Sequence, residues 1–283
     1  MSTSTQDSAA VADREFNFSP RDFERVRALI HQRAGIHLHD GKQAMVYSRL
    51  SRRLRDTKHQ SFEHYLSWLD KSSGDTAQRE WQEFVNCLTT NLTAFFREEH
   101  HFHSLTEWLK EQGGRSLRIW CCASSTGEEP YSIAITVAET LGLHAPVKII
   151  ATDIDTNVLA TASRGVYDAD ARGLSPARLR MFFLKGKGGN QGQMRVKPEL
   201  ARLVEFKPLN LTQKSPWSMG EPVDAVFCRN VMIYFDAPTQ RSVLERLHQA
   251  MRPRGLLFVG HSENFTESRD IFQLRGKTVY DRI

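Results

Sequence analysis

The chain has 283 residues, with 38 Lys and Arg against 33 Asp and Glu and a formal net charge of +5 at pH 7. This length allows two domains with sizeable cores, and no apolar run approaches the ~18 residues of a membrane span. Four cysteines without a zinc spacing favour reduced thiols, no metal and a cytoplasmic protein. Residues 1–15, rich in Ser, Thr, Ala and Asp, predict a disordered tail without a secretory signal.

Residues 16–90 show only helical patterns and predict an N-terminal all-α domain. Ser19 and Pro20 are typical of a helix start, and Gly35 is typical of a helix end. Three further helices are predicted over about residues 42–57, 61–71 and 78–88. Four short helices indicate a small bundle.

The second predicted helix carries a run of basic residues. Arg49, Arg52 and Arg53 share one face, and Leu50 and Leu54 face the other way. The run is interpreted either as a solvated face or as a docking surface for an acidic partner.

Residues 91–110 are predicted to link the helical domain to the rest of the chain. Their first part mixes polar groups with apolar anchors, which suits a packed linker. Alternatively, Asn91, Thr93 and Arg97 line a cofactor cleft. The histidines that follow are assigned to a surface helix rather than to a metal site: His100, His101 and His103.

Residues 117–132 read as a buried strand, a loop of small residues and a helix start. The loop lacks the lysine of a phosphate-binding loop, and Glu128 and Glu129 would repel phosphate. A carboxylate at this place suits a ligand with hydroxyl and ammonium groups. A second strand over residues 147–153 ends in Asp153, which suits ribose hydroxyls, and Asp155 suits a helix N-cap. An ordinary strand–helix turn with a strand-end acid stays open as the alternative.

A third buried strand, over residues 223–228, is followed by Arg229, Asn230 and Tyr234 at its carboxyl end. Polar groups at strand carboxyl ends mark ligand sites in open α/β sheets. A helix over residues 238–251, a turn at 252–255 and a strand over 256–260 follow. This order resembles the class I S-adenosylmethionine-dependent methyltransferases and predicts an α/β, Rossmann-like domain over residues 111–283.

A glycine-rich stretch, residues 184–197, interrupts the alternation of strands and helices and predicts a β-hairpin. Residues 202–207 supply either a further strand of this hairpin or a strand of the main sheet. We expect a small antiparallel β-subdomain inserted around residues 175–205, which is either a decorative loop or a partner-binding subdomain.

Five motifs together resemble the bacterial chemotaxis receptor methyltransferases, the CheR family. They are TNLTAFFR at 90–97, STGEEPYS at 125–132, ATDID at 151–155, PLNL at 208–211 and CRNVMIYF at 228–235. The resemblance implies the same three parts: a helical domain, a methyltransferase domain and an inserted β-subdomain. It also implies transfer of a methyl group from S-adenosyl-L-methionine to glutamate side chains of chemoreceptors, which gives glutamate methyl esters and S-adenosylhomocysteine during sensory adaptation.

The resemblance also implies a set of site residues. The cofactor contacts carry over to Asn91, Thr93, Arg97, Glu128, Asp153, Asn210, Leu211, Arg229 and Asn230. Arg97 and Tyr234 are expected to orient the substrate carboxylate. The receptor's cytoplasmic helices are expected at Arg49, Arg52 and Arg53, and the candidate contacts for its C-terminal tail are Lys187, Arg195 and Lys197. No nucleic acid and no direct membrane insertion are expected.

The sequence suggests two alternative functions. The basic charge suggests a nucleic-acid methyltransferase, but the chain lacks the Asp/Asn-Pro-Pro-Tyr/Phe tetrad used on flipped bases. A catalytically silent adaptor would bind the cofactor as a ligand and tether receptors, and the presence of Arg97 and Tyr234 argues against it.

Overall fold

The computed structural model describes residues 15–265 and 268–283. Contacts divide the chain into two compact units, with the boundary between Thr89 and Thr90. Residues 1–14, nearly all of the predicted tail, lie outside the described residues. Within the described part of the chain, no helix is long and apolar enough to cross a membrane.

The first unit is a small helical bundle. Its α-helices are α1 (Pro20–Ala34), α2 (Gln43–Asp56), α3 (Phe62–Lys71) and α4 (Asp75–Leu88), with a 3-10 turn at Asp40–Lys42. Ser19 and Asp22 form a reciprocal capping box at the start of α1, and Gly35 ends it at φ 69°. Helix α4 begins three residues earlier than the sequence predicted, because Asp75 already occupies its first turn, where an acid suits the helix dipole.

The core of this unit is formed by the apolar stripes of the four helices. Its fully buried side chains include Val26, Ile30, Val46, Leu50, Leu54, Phe62, Tyr65, Leu66, Leu69 and Phe84. The helical spacing of these residues is the pattern that predicted the bundle.

The second unit contains a seven-stranded sheet. Its strands are β1 (Leu117–Cys121), β2 (Val147–Asp153), β6 (Val204–Pro208), β7 (Val223–Cys228), β8 (Met251–Val259), β9 (Phe272–Gly276) and β10 (Val279–Arg282). The order across the sheet is β6-β2-β1-β7-β8-β10-β9, in which β10 alone runs opposite to the direction of the other six strands. The doubly wound dinucleotide-binding sheet shares the order of the first five strands.

Helices cover both faces of this sheet. They are α5 (His100–Glu111), α6 (Glu128–Leu141), α7 (Thr156–Arg164), α8 (Pro176–Phe182), α9 (Pro198–Ala201) and α10 (Ala237–Ala250). Alternate residues of β1 enter opposite cores: Ile119 and Cys121 pack on one face, and Trp120 and Cys122 on the other. The two adjacent cysteines are therefore buried, free and on opposite sides of the sheet.

A second sheet contains three short strands, β3 (Val166–Asp168), β4 (Phe183–Lys185) and β5 (Gln193–Val196), in the order β3-β5-β4. Strands β4 and β5 form the antiparallel hairpin that the glycine-rich stretch predicted. Sequence reasoning missed β3, which is only three residues long and precedes the expected insertion.

Strand pairing decides one expectation that the sequence left open and corrects another. Residues 204–208 join the main sheet as β6, paired with β2. The predicted turn at residues 252–255 lies inside β8, which begins at Met251 rather than at Leu256. The register of β7 and β8 shifts at this place, and Arg254 adopts φ 62°, so an irregularity in the strand accommodates Pro253.

Candidate cofactor site at the carboxyl ends of the strands

The site lies where the strand order reverses, between β1 and β7. These strands run parallel, and Cys122 N donates to Phe227 O at 2.8 Å just beyond their last pairs. Open α/β sheets bind ligands in the crevice outside the carboxyl ends of strands at such a switch point. The loops that follow β1, β2, β6 and β7 carry most of the predicted cofactor residues.

The loop between β1 and α6 is held in a special backbone conformation. Ser125 has φ 48° and Gly127 has φ 102°. A Cβ atom at Gly127 would lie 2.5 Å from Tyr167 Oη and 2.9 Å from Ala162 Cβ, so only glycine fits. Tyr167 Oη donates to Thr126 O at 2.8 Å, which fixes the loop from β3 of the small sheet.

Asp153, the last residue of β2, joins this loop to the start of α7. Its side chain is buried, and its two oxygens accept from Ser125 N at 2.8 Å and from Asp155 N at 2.9 Å. Burial raises the pKa of Asp153 to about 6, against the opposing effect of these hydrogen bonds. Each carboxylate oxygen has a second lone pair, so Asp153 retains acceptor capacity for the hydroxyls of a ligand.

Asp155 is the N-cap of α7, as the sequence predicted. Its side chain accepts from Asn157 N and Val158 N. Its other oxygen accepts from Asn91 Nδ2 at 2.8 Å. Asn91 O in turn accepts from Ser125 Oγ at 3.1 Å, so the segment that carries Asn91 closes on both acidic loops.

Residues 91–97 pack on the rest of the second unit through two phenylalanines. The Phe95 ring lies 5.0 Å from Tyr167 and 5.7 Å from Phe183, and Phe96 N donates to Ser132 Oγ at 2.9 Å. Arg97 donates back to Leu92 O at 3.0 Å within the segment. The packing places Asn91 and Arg97 beside the β1 and β7 loops.

Arg229 is buried among acids and a carbonyl group. Its guanidinium contacts Glu129, lies 3.4 Å from Glu98 Oε2 and donates to Arg97 O. The side chain is therefore engaged inside the protein, and it joins the 91–98 segment to α6 and β7.

Glu128 and Glu129 have different tasks. Glu129 contacts Arg229 and accepts from Cys121 Sγ at 3.2 Å. Glu128 accepts from Thr126 Oγ1 at 2.7 Å, and burial raises its pKa. Of these two carboxylates, Glu129 is paired with a cation. Glu128 has no cationic partner among the described residues, which suits a ligand that carries positive charge.

The loop after β6 adds two further predicted residues. Leu209 N donates to Asp153 O at 2.9 Å, which brings the loop beside Asp153. Asn210 Oδ1 accepts from Thr212 N at 2.9 Å in a local turn, and Leu211 is buried.

Asn230 and Tyr234 lie in the turn after β7. Asn230 adopts φ 57°, and its side chain donates to Glu98 Oε1 at 3.4 Å. Tyr234 ends the 3-10 turn Met232–Tyr234, and its hydroxyl has no hydrogen-bond partner among residues 15–265 and 268–283.

Sequence reasoning missed two buried acids at this site, Glu98 and Glu263. Glu98 directly follows the first motif, and Glu263 follows the end of β8 by a few residues. The rule that found Asp153, an acid just after a buried strand, also applies to Glu263.

The prediction of a surface helix for the three histidines was wrong for His101. Its ring is fully buried, contacts Thr278 Oγ1 at 2.9 Å and packs on Phe258. Burial lowers the pKa of His101 to about 2, so the ring is neutral at pH 7. Among the described residues, no three His, Cys, Asp or Glu side chains are grouped as metal ligands.

The basic face of α2 is largely engaged within its own unit. Arg53 donates to both oxygens of the buried Glu80, at 3.0 and 2.5 Å, and Arg49 donates to Cys87 O and Thr89 O. Arg52 is different, because 81% of its side chain is exposed. The expectation of three exposed docking arginines therefore needs correction: the face presents Arg52.

The small sheet exposes two of its three predicted contact residues. Lys187 and Arg195 are exposed, whereas Lys197 donates to Arg180 O and Met181 O. Strand β4 is an edge of the sheet. Two exposed apolar side chains lie at this edge, Leu184 and Met181.

Two family models match nearly the whole chain. The CheR methyltransferase all-alpha domain matches residues 21–89, and the CheR methyltransferase SAM binding domain matches residues 91–280. The boundary between the models coincides with the division of the structure into two units.

Characterised relatives align over almost their entire length. The chain is 50% identical to chemotaxis protein methyltransferase 2 of Pseudomonas aeruginosa over 99% of both chains. It is 50% identical to the chemotaxis protein methyltransferase of Escherichia coli over 93% of this chain and 91% of the relative, and 51% identical to that of Salmonella typhimurium over 93% and 90%. The chain therefore belongs to the CheR methyltransferase family and contains both the all-alpha domain and the S-adenosylmethionine-binding domain.

Proposed function

We propose that this protein transfers the methyl group of S-adenosylmethionine to glutamate side chains of transmembrane chemoreceptors, as a chemotaxis protein methyltransferase of the cytoplasm. The observation that carries the proposal is the place of three residues at the strand switch point of a family methyltransferase domain: Asp153 ends β2, Glu128 begins the helix after β1, and Asn230 follows β7. The products are glutamate methyl esters and S-adenosylhomocysteine.

The donor set fits this cofactor. Asp153 and the Asn210–Leu211 loop are assigned to the adenosine, because a buried carboxylate with spare lone pairs suits two ribose hydroxyls. Glu128 is assigned to the positively charged amino-acid end, and Asn91, Thr93 and Arg97 to the other side of the cleft. The absence of a Cβ atom at Gly127 lets the loop pack closely on Tyr167 and Ala162, and this packing holds Glu128 at the start of α6.

The chemistry requires positioning rather than proton removal. When bound, S-adenosylmethionine supplies an electrophilic methyl group on a sulfonium. A substrate glutamate has an ordinary pKa near ~4.3 and is already ionised at neutral pH, so no general base is needed. Alignment and removal of water from the reacting groups can contribute roughly 7–11 kcal/mol.

Arg97 and Tyr234 are assigned to orient the substrate carboxylate. The free hydroxyl of Tyr234 suits a hydrogen bond to one carboxylate oxygen. The Arg97 guanidinium supplies positive charge at the same edge of the sheet. Binding the ground state too tightly would slow transfer, so both contacts are expected to set geometry rather than affinity.

Receptor contacts are assigned to two separate surfaces. Exposed Arg52 on α2 suits the acidic helices around methylated glutamates. The β4 edge, with Lys187 and Arg195 nearby, suits an extended receptor tail that adds a strand. Tethering by a tail raises the effective concentration of the substrate, to the mM range for short flexible linkers.

The tether is tested with receptor C-terminal peptides from the same cell. They should bind the intact protein and lose affinity for a version with residues 186–192 shortened. Equal binding to both proteins would contradict the assignment of the tether to the hairpin, while leaving the methyltransferase assignment intact.

The enzymatic proposal is tested by incubating the protein with radiolabelled S-adenosylmethionine and receptor-bearing membranes. Label should enter the receptor, and Asp153→Ala should abolish most of it. A protein that binds S-adenosylhomocysteine but labels no receptor would be an adaptor instead. Label found in added DNA or RNA would favour a nucleic-acid methyltransferase.

A further inference from the structure

Glu263 is a buried carboxylate that accepts four backbone hydrogen bonds. Oε1 accepts from Val231 N at 2.9 Å and from Met232 N at 2.8 Å. Oε2 accepts from Asn230 N at 2.9 Å and from Gly260 N at 2.6 Å. Only 4% of the residue is exposed, so water cannot take the place of the carboxylate as the acceptor for these four N–H groups.

Three of the four donors belong to the turn after β7 that carries two predicted site residues, Asn230 and Tyr234. Asn230 adopts φ 57°, a left-handed conformation that costs free energy in any residue except glycine, and least in Asn and Asp. Such a conformation persists only where the surroundings hold it. The Glu263 carboxylate supplies that restraint on the backbone.

A second carboxylate holds the side chain of the same residue. Glu98 Oε1 accepts from Asn230 Nδ2 at 3.4 Å, and Arg229 pairs with Glu98. A Cβ atom at Gly260 would lie 2.3 Å from Asn230 Nδ2, so the Asn230 side chain fits here only because residue 260 is glycine. Both the backbone and the amide of Asn230 are therefore fixed.

We propose that Glu263 is a positioning residue for S-adenosylmethionine: its carboxylate holds the Asn230 turn in the cofactor-binding conformation, without touching the cofactor or the receptor. The inference rests on the proposed function, because it takes Asn230 as a cofactor contact.

The geometry requires a carboxylate rather than an amide. Glutamine has one acceptor oxygen, and its NH₂ group would face two of the four N–H donors. Glu263→Gln therefore leaves buried N–H groups unpaired and is expected to release the left-handed turn.

The test combines four variants: Glu263→Gln, Asn230→Ala, the double variant and Asp224→Asn. Asp224 is the matched control, because it is a buried carboxylate that accepts from Arg118 N at 2.8 Å but lies at the other end of β7. Calorimetry of S-adenosylhomocysteine binding, normalised to folded protein, and thermal unfolding are measured on all four.

We expect Glu263→Gln to weaken S-adenosylhomocysteine binding at least tenfold. Asn230→Ala should weaken it to a similar extent, and the double variant should bind no more weakly than the weaker single variant, because the two residues act through one contact. Asp224→Asn should lower the melting temperature and change the affinity less than twofold. Amide exchange of Asn230, Val231 and Met232 should accelerate in ligand-free Glu263→Gln.

Several outcomes would overturn the proposal. Unchanged affinity of Glu263→Gln beside a weakened Asn230→Ala would show that Glu263 is only structural. Additive losses in the double variant would show that it does not act through Asn230. Unchanged affinity of Asn230→Ala would remove Asn230 from the cofactor site, and the assignment in the proposed function would fail with it.

Gly260→Ala supplies a second route if Glu263→Gln does not fold. It keeps the Glu263 carboxylate and displaces Asn230 through the added Cβ atom, which would lie 2.3 Å from Asn230 Nδ2 and 3.0 Å from Asn230 N. Weakened S-adenosylhomocysteine binding is expected, and wild-type affinity in this folded variant would contradict the proposal.

Discussion

Asp153 combines two tasks in one carboxylate: it fixes two loops and is assigned to the cofactor ribose. Burial raises its pKa to about 6, above the ~3.9 of an unfolded chain. Ionised Asp153 therefore opposes folding at neutral pH, and this cost declines as the pH falls from about 6 towards ~3.9. Hydroxyl donors from a bound ligand would compensate the ionised form.

Cofactor affinity should consequently depend on pH through Asp153. Binding to ribose hydroxyls favours the ionised carboxylate, so S-adenosylhomocysteine affinity should fall below about pH 6, by up to ~10-fold per pH unit. Calorimetry between pH 5 and 8 measures this. Asp153→Asn should bind more weakly at pH 8 and show a flatter profile, and a flat wild-type profile would contradict the assignment.

Tyr234 should contribute to transfer and little to folding. Its hydroxyl has no partner within the described part of the chain, so Tyr234→Phe removes no internal hydrogen bond. The methylation rate should fall, while the melting temperature and S-adenosylhomocysteine affinity stay near wild type. A wild-type rate would show that the hydroxyl does not contact the substrate.

Helix α2 shows why charge alone does not identify a docking surface. The Arg53 guanidinium is bound to the buried Glu80 and stabilises the first unit. The contact raises the pKa of Arg53, and Tyr65 Oη donates to the same carboxylate. Arg53→Ala should lower the free energy of unfolding by an amount near the lower end of ~3–5 kcal/mol, since Arg53 is partly exposed. Chemical denaturation measures this loss.

Receptor recognition by α2 is tested at Arg52 instead. Arg52→Glu should raise the Michaelis constant for receptor and flatten the salt dependence of methylation, because exposed charges are screened over about 10 Å at ~0.1 M salt. Arg79→Glu on α4 makes the same change of net charge elsewhere on the bundle and is the control. Identical salt profiles of the Arg52 and Arg79 variants would return α2 to the interpretation as a solvated face.

The small sheet is connected to the cofactor loop through β3. Tyr167→Phe removes the hydrogen bond to Thr126 O, worth about 0.5–1.5 kcal/mol, and should weaken S-adenosylhomocysteine binding up to ~10-fold. Tyr131→Phe is the matched control, because its hydroxyl donates to Ala162 O of α7 rather than to a carbonyl group of the loop. Equal affinity of the two variants would separate the small sheet from cofactor binding.

The four helices of the first unit, the parallel strands β1, β2 and β7 and the strand-end residues followed from the sequence because their signals are local, whereas β9 and β10 at the edge of the main sheet were not predicted. Asp153 ends a buried strand, and Asp155 caps the next helix. The Arg53–Glu80 contact and the Glu263 contacts to the Asn230 turn join residues 27 to 33 positions apart. Only the fold decides which of several charges meet across such distances, and β3 was too short to leave a pattern.

The two units of the molecule carry different assigned residues. The first unit is a helical bundle that presents Arg52, and the second contains the complete set of assigned cofactor residues together with the β4 edge. From the proposed roles of these residues, we expect substitutions at Arg52 to change the Michaelis constant for receptor without changing cofactor affinity.

The proposed function requires that the accepting atom is a glutamate carboxylate oxygen. Mass spectrometry of a receptor cytoplasmic fragment, after incubation with the protein and S-adenosylmethionine, identifies that atom. We expect a mass increase of one methylene on glutamate side chains, removed by mild alkali as expected of an ester and absent with Asp153→Ala. Methylation confined to other residue types, or no methylated receptor peptide with active cofactor-binding protein, would contradict it.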